Sequence, residues 1–367
     1  MLTIADVTKA LENKYPLNLA ASWDNSGLQV GNSSHQLSKA IIALDCTPSV
    51  VNRAEQENAE LIITHHPLIF SGLKSIKYDQ PMGQMLQRIC RSDISVYSLH
   101  TNLDRAHGGL NCYLASRLGL METKVFGELL KQPLFKLVVY VPVDYLQPVR
   151  SALGAAGAGH IGEYSHCSFA MAGEGTFLPG SGTHPFLGEV GKLQQVAEYR
   201  LESIVNGEQL APCLAALCSV HPYEEMAYEV YPLQQPVEAY GYGRLGYLSD
   251  AMSLKQVAAM VKARLDLSYV RVVGDPEGQL SRLAVVSGSG ADLIAEAAAA
   301  GAQVLVTGDI KYHEAQAAIS HGLALIDAGH DGLERIAITL LAADLREKFA
   351  DELQIIPHYE ELVFALV

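Results

Sequence analysis

Short apolar runs punctuate the chain and alternate with stretches of helical period. Lys39–Asp45 (KAIIALD), Glu60–Thr64 (ELIIT) and Ile94–Ser98 (ISVYS) read as strands in the first third of the sequence. These runs of Ile, Val and Leu lack the in-out alternation of a half-solvated strand, so they predict strands covered on both faces. Between the first two, Thr47-Pro48 predicts a helix start, with Thr as the cap and Pro fixing the first turn. Strands that alternate with helices imply an α/β fold with a mostly parallel sheet.

The pattern changes near Glu128. A strand at Leu134–Val141 (LFKLVVYV) is followed by a Gly/Ala/Ser-rich stretch over 154–182. The segment closes with His221-Pro222-Tyr223-Glu224-Glu225 and an apolar strand at Ala227–Leu233. Proline-containing joints at Gln132-Pro133 and Gln235-Pro236 bracket it. This predicts a small α+β domain, 128–236, inserted between core segments 1–127 and 237–367. In the last segment the β-α-β pattern returns. Ala40–Thr64 aligns without a gap with Leu283–Thr307, at an offset of 243 residues (283 − 40). Two readings stay open: the ordinary likeness of any two β-α-β units, or two related half-domains that face each other. Under either, the halves form one functional unit.

Composition narrows the function classes. The chain has 367 residues, 49% hydrophobic and 18% charged, which is globular and long enough for two or three domains. Lys and Arg number 26 against 40 Asp and Glu, a formal charge of −14. With no basic cluster to track phosphates, this argues against nucleic acid as a partner. Six cysteines are scattered without Cys-x-x-Cys spacing, the pattern of a reduced, cytoplasmic protein. The N-terminus lacks a basic stretch followed by an apolar one, and no apolar run approaches the ~20 residues of a membrane span. The expectation is a protein with no export signal and no membrane segment.

Chemistry concentrates where strands end. Thr64-His65-His66-Pro67 follows ELIIT, and in open α/β sheets ligands sit at the carboxyl ends of strands. Adjacent residues there point in different directions, so the pair suits two neighbouring metal ions, one imidazole each. His100-Thr101-Asn102-Leu103-Asp104 follows ISVYS; Asp104 is a carboxylate ligand candidate, and His100 a ligand or a donor behind one. Leu323–Asp327 (LALID) leads to Gly329-His330-Asp331-Gly332-Leu333-Glu334-Arg335. If a helix has begun by His330, His330 and Glu334 share a face, and a carboxylate can bridge two ions. His65, His66, Asp104, His330 and Glu334 form a mixed set that suits two divalent ions such as Zn, Fe or Mn. Five ligands leave open positions, as in a catalytic site.

Weaker candidates are Asp309, Lys311 and His313 after the strand that ends at Thr307. His313 and His100 are the nearest proton donors by sequence. Arg244 and Lys311 are candidates to hold an anionic substrate. His160, His166, Cys167 and His184 in the insert are ligands by type alone. Gly241–Gly246 lacks a preceding strand for dinucleotide binding, and Gly154–Gly162 has no Lys-Ser/Thr ending.

Trp23-Asp24-Asn25-Ser26-Gly27-Leu28-Gln29-Val30-Gly31, Thr-His-His-Pro, His-Thr-Asn-Leu-Asp and Gly-His-Asp-Gly-Leu-Glu-Arg together resemble the NIF-three-like family, which includes the GTP cyclohydrolase 1 type 2 homologues. The resemblance covers nearly the whole chain. It implies a dinuclear metal site on His65, His66, Asp104, His330 and Glu334, a toroidal homohexamer, and an insert of ferredoxin-like, PII/CutA-like fold. Two functions follow as expectations. One is a metal-dependent hydrolase acting on a nucleotide or related small molecule. The other is a non-enzymatic metal-binding ring that serves as scaffold, chaperone or regulator.

Overall fold

The computed structural model describes residues 1–127, 129–131, 133–162, 164–234 and 239–360. It divides into two compact units, residues 1–130 with 240–367, and residues 131–239. The expected boundaries at Glu128, Pro236 and Val237 lie outside the described residues. In chain order the strands begin with β1 (Gly27–Val30), β2 (Lys39–Ala43), β3 (Leu61–Thr64), β4 (Ser95–Ser98), β5 (Met121–Phe126) and β6 (Leu130–Lys131). The smaller unit adds β7 (Leu134–Pro142), β8 (Ser168–Phe177), β9 (Gln194–Asn206) and β10 (Tyr228–Pro232). Next come β11 (Ala239–Tyr240), β12 (Gly243–Ser253), β13 (Arg271–Val273), β14 (Gln279–Val285), β15 (Val304–Thr307), β16 (Ala324–Asp327) and β17 (Gln354–Pro357). Strands β6 and β11, where the chain passes from one unit to the other, pair as a short ribbon.

Two sheets organise the larger unit, in the orders β1-β4-β3-β2-β17 and β13-β16-β15-β14-β12-β5. In the first, β2, β3 and β4 are parallel and β1 is an antiparallel edge on β4. In the second, β14, β15 and β16 are parallel and β13 is the antiparallel edge on β16. Ala40 pairs with Leu61, and Leu283 with Val304, each 243 residues further on. Chain order, strand direction and β-α-β register therefore repeat. Similarity of generic β-α-β units does not require the same antiparallel edge strand, so the repeat favours related halves. Beyond these four strands the halves differ: β17 lies parallel to β2, whereas β12 lies antiparallel to β14.

The period-two geometry of strands explains the unbroken apolar runs. Ile42, Ile63 and Tyr97 face one core with Val285, Val306 and Ile326 of the second sheet and the helix Ile336–Phe349. Ile41, Ile62 and Val96 face the opposite way, onto Val50, Ala54, Leu86 and Ile89. Ala284, Leu305 and Leu325 likewise pack on Ile294, Ala297 and Ala318. The helix Pro48–Glu57 starts as its sequence predicts, with the Thr47 hydroxyl accepting from the Val50 amide.

The smaller unit is α+β: an antiparallel sheet β10-β7-β9-β8 with a core that joins it to the helices Leu146–Ala155 and Gly207–Val220. β8 lies in the Gly/Ala/Ser-rich stretch, which carries little strand propensity; its ten-residue pairing with β9 sets its conformation instead. Among the described residues no helix is long and apolar enough to cross a membrane.

Candidate metal centre

Parallel register brings the histidines together. Thr64 pairs with Ser98, so His65 and His66 leave the sheet beside Leu99 and His100. Thr307 pairs with Asp327, so Asp309 and His330 leave the other sheet as neighbours. Asp104 follows on the short helix Thr101–Arg105. The helix His330–Glu334 starts at His330, and its i,i+4 spacing sets His330 Nε2 3.0 Å from Glu334 Oε2. The imidazole rings form a contiguous group: His65 and His66 centroids are 5.1 Å apart, His66 and His330 5.5 Å, and His100 lies 5.3 Å from His65 and 5.6 Å from His66.

Each ring is held by its Nδ1. That atom lies 2.7 Å from the Leu99 carbonyl in His65, 2.8 Å from Asp45 in His66, 2.8 Å from Asp24 in His100 and 2.8 Å from Asp309 in His330. A carbonyl or carboxylate accepts, so Nδ1 carries a proton in each ring and Nε2 is the atom turned to the interior, where it can donate to a carboxylate when protonated and bind an ion when not. This is the arrangement that orients and strengthens imidazole metal ligands. Asp24 is itself fixed by the amide and hydroxyl of Thr101.

Two carboxylates meet the Nε2 atoms. Glu334 Oε2 is 2.8 Å from His66 Nε2 and 3.0 Å from His330 Nε2, while Oε1 is 3.6 Å from His65 Nε2. Asp104 Oδ1 is 3.9 Å from His65 Nε2 and accepts from the Ser287 hydroxyl at 2.9 Å. Glu334 thus turns one oxygen toward His65 and the other toward His66 and His330. His65 Nε2 is buried and has no hydrogen-bond partner. A buried Nε2 facing two carboxylates calls for positive charge between them, from a proton or a bound cation. The residues present therefore fit a divalent metal.

Protonation tells the same story. Burial pulls His66 down, but its bonds to Asp45 and Glu334 outweigh this and carry it up to about 10. The bond to Glu334 carries His330 up to about 9. Burial pushes Glu334 up, yet the surrounding imidazoles hold it well below the usual carboxylate range. Burial dominates at Asp104 and raises it. In the absence of a metal, protons supply the positive charge that the carboxylates require.

The family model described as Duf34/NIF3 (NGG1p interacting factor 3) matches residues 2–360. The chain belongs to the Duf34/NIF3 family. It is 44% identical over 324 residues to a Bacillus subtilis protein named GTP cyclohydrolase 1 type 2 homolog, covering 88% of this chain and 87% of that one. A Listeria innocua protein of the same name is 34% identical over 99% of this chain and 96% of its own. The crystal structure of a Bacillus cereus protein related to NIF3 superposes with a TM-score of 0.87 at 40% identity, covering 100% of this chain and 99% of that one.

In this NIF3 chain the structure brings together all five expected ligands and adds His100 and its carboxylate Asp24. His65, His66 and His100 form one group of atoms close enough to share an ion; His66, His330 and Glu334 form another. No such group among the described residues includes His160, His166, Cys167 or His184. His313 is exposed on the first turn of the helix Tyr312–Ser320, its ring against Tyr312, and no hydrogen bond or ion pair ties it to the cluster. Lys311 is exposed and pairs with Glu314 at 3.8 Å. Asp309 holds His330 in place.

Arg244 corrects an expectation. It is 1% exposed, and its guanidinium donates to the carbonyls of Gly241, Gly243, Arg105 and Ala106 and to Cys112 Sγ. It fastens β12 to the end of the helix that carries Asp104 and is closed to any substrate. Arg244→Leu leaves several buried carbonyls unpaired, at about 1–3 kcal/mol each. The expected result is a fall of about 6 °C or more in Tm, and a melting curve that overlays wild type would contradict this structural role. Arg271 is a cation that lies beside the site. It lines a cleft of about 670 Å³ with His66, Asp309, His330 and Tyr269, bonded to Asp327 and the Ile310 carbonyl. Nothing near Val272 in the sequence signalled it, because its position depends on the edge strand β13 pairing with β16.

Proposed function

We propose that this chain is a metal-dependent hydrolase with a dinuclear centre, acting on an anionic small molecule of the nucleotide class. The observation that carries the reading is Glu334, whose two oxygens serve different imidazoles around the unpartnered Nε2 of His65. On this reading His65, Asp104 and Glu334 would hold one divalent ion, and His66, His330 and Glu334 the other. Ions of the Zn, Fe or Mn type would supply a hydroxide near neutral pH and polarise the attacked group. His100, oriented by Asp24, is placed to carry a proton between the reacting atoms and water. Arg271, held by Asp327, lines the cleft beside His66 and His330 where an anionic group of the substrate would lie. The relatives' name supports a purine nucleotide such as GTP as the substrate class. The same reading takes the working form to be a cytoplasmic homohexamer.

The test is a screen of nucleotides and phosphoesters with metal-loaded protein, each active pair repeated with His66→Ala. Turnover that disappears in the variant supports the hydrolase. Full metal content with no turnover across the screen would favour a metal-binding scaffold.

The proton account gives a pH dependence. In chelator-treated protein His66 and His330 are raised above their unfolded value of ~6.5. Their stabilising contribution is full below pH ~6.5 and is lost as pH rises through about 9 and 10. Metal needs neutral imidazoles, so the metal contribution grows over the same range. The gap in Tm between metal-loaded and chelator-treated protein should widen from pH 6 upward, and a gap independent of pH would refute this.

A further inference from the structure

We propose that Trp23 and Phe70 form a stacking subsite for the planar ring of a purine-like ligand at the edge of the histidine cluster. Both rings stand in water, 59% and 56% exposed, as do Leu73, Ile76 and Tyr78 along the same loop as Phe70, and what sets the pair apart is its contact with His100. Their centroids are 5.8 Å apart with the planes inclined at 41°. Each also meets the ring of His100, at 5.9 Å from Trp23 and 6.3 Å from Phe70, edge to face. His100 in turn touches His65 and His66, so the exposed pair is one imidazole away from the middle of the cluster.

The two rings come from separate loops, and those loops are pinned to each other. The Asn25 side-chain amide donates to the Ile69 carbonyl at 2.5 Å, and the Ile69 amide donates to Gln29 Oε1 at 2.8 Å. Beneath Trp23, Asp24 is bonded to Ser26, Thr101 and His100. Bonds that hold a ligand-oriented imidazole therefore also fix the backbone under the indole. Apolar rings left this exposed retain burial free energy that a stacked ligand would release, and a fixed scaffold removes the ordering cost that stacking would otherwise meet. Aromatic faces beside a polar centre favour a flat π-system, because stacking on Trp or Phe is sequence-tolerant and substantial. The ring is thereby set beside His100, which does not line the Arg271 cleft.

This inference rests on the reading of the cluster as the reaction centre, and the probes separate the two. Full-length, zinc-loaded protein is titrated with AMP and GMP, and with ribose 5-phosphate, which has the same tail without the ring. The chain contains one tryptophan, so stacking should quench its fluorescence with AMP or GMP and not with ribose 5-phosphate. By calorimetry, Trp23→Ala and Phe70→Ala should each weaken AMP and GMP about tenfold, Trp23→Phe should keep most of the affinity, and zinc content should stay at the wild-type value. Equal affinity for the three probes in wild type, or unchanged AMP and GMP affinity in the Trp23→Ala/Phe70→Ala double variant, would overturn the subsite. Wild type that takes up no zinc would instead defeat the metal reading, and the same purine titration of that protein would still decide the stacking.

Discussion

Glu334→Ala should lose both metal equivalents, with affinity down by more than about 100-fold. Changes to groups that only orient a ligand already cost about 10- to 100-fold, and Glu334 faces three imidazoles directly. Its removal also strips His65, His66 and His330 of the one carboxylate they share, leaving each with only the acid behind or beside it. A buried group stripped of its partner costs about 3–5 kcal/mol, so the metal-free variant should melt below metal-free wild type as well. Glu334→Gln keeps the shape and one acceptor oxygen; it should recover much of the fold and little of the metal. Elemental analysis and melting curves on chelator-treated and reloaded samples read both effects. Full metal content in Glu334→Ala would remove the bridging role.

Gly288→Ala should also damage metal binding, although Gly288 supplies no side chain. It sits at φ +59, and an added Cβ would lie 2.2 Å from Glu334 Oε1 and 3.3 Å from His330 Nε2. The left-handed backbone costs a non-glycine residue about 1–2 kcal/mol. The larger effect is steric: the methyl group would occupy the space on which the carboxylate and imidazole converge. Gly288 lies 243 residues after Asp45, so one half places a carboxylate behind His66 where the other clears room for Glu334. The expected outcome is a folded protein, modestly less stable, whose metal affinity falls by more than tenfold. A variant that binds metal as wild type does would show that the space around Glu334 is not where the ions sit.

Much of this site was legible because its residues follow strands with strong apolar signatures. Thr64-His65-His66 and His330 to Glu334 stand directly after buried runs, and the i,i+4 spacing of the latter needs only a helix start to become a contact. The carboxylates behind the rings were harder to see. Asp24 reaches His100 across 76 residues, and Asp45 and Asp309 reach His66 and His330 across 21 each, by tertiary approach that no local period encodes. Arg244 shows the reverse error. A cation in a glycine-rich segment reads as a solvent-facing anion binder, yet here the chain turns it inward, the carbonyls of Gly241 and Gly243 close around it, and the missing Cβ atoms make room for Val125 and Phe126. The 243-residue repeat was visible in one β-α-β unit, and sheet order extended it to the edge strands, whose short sequences carry little signal.

Anomalous diffraction from crystals of zinc-loaded protein tests the central claim most directly. Two peaks per chain are expected on either side of the Glu334 carboxylate, one within about 2.0–2.2 Å of His65 Nε2 and an Asp104 oxygen, the other at the same range from His66 and His330. No anomalous density among these side chains at saturating zinc, or peaks only elsewhere on the surface, would contradict it.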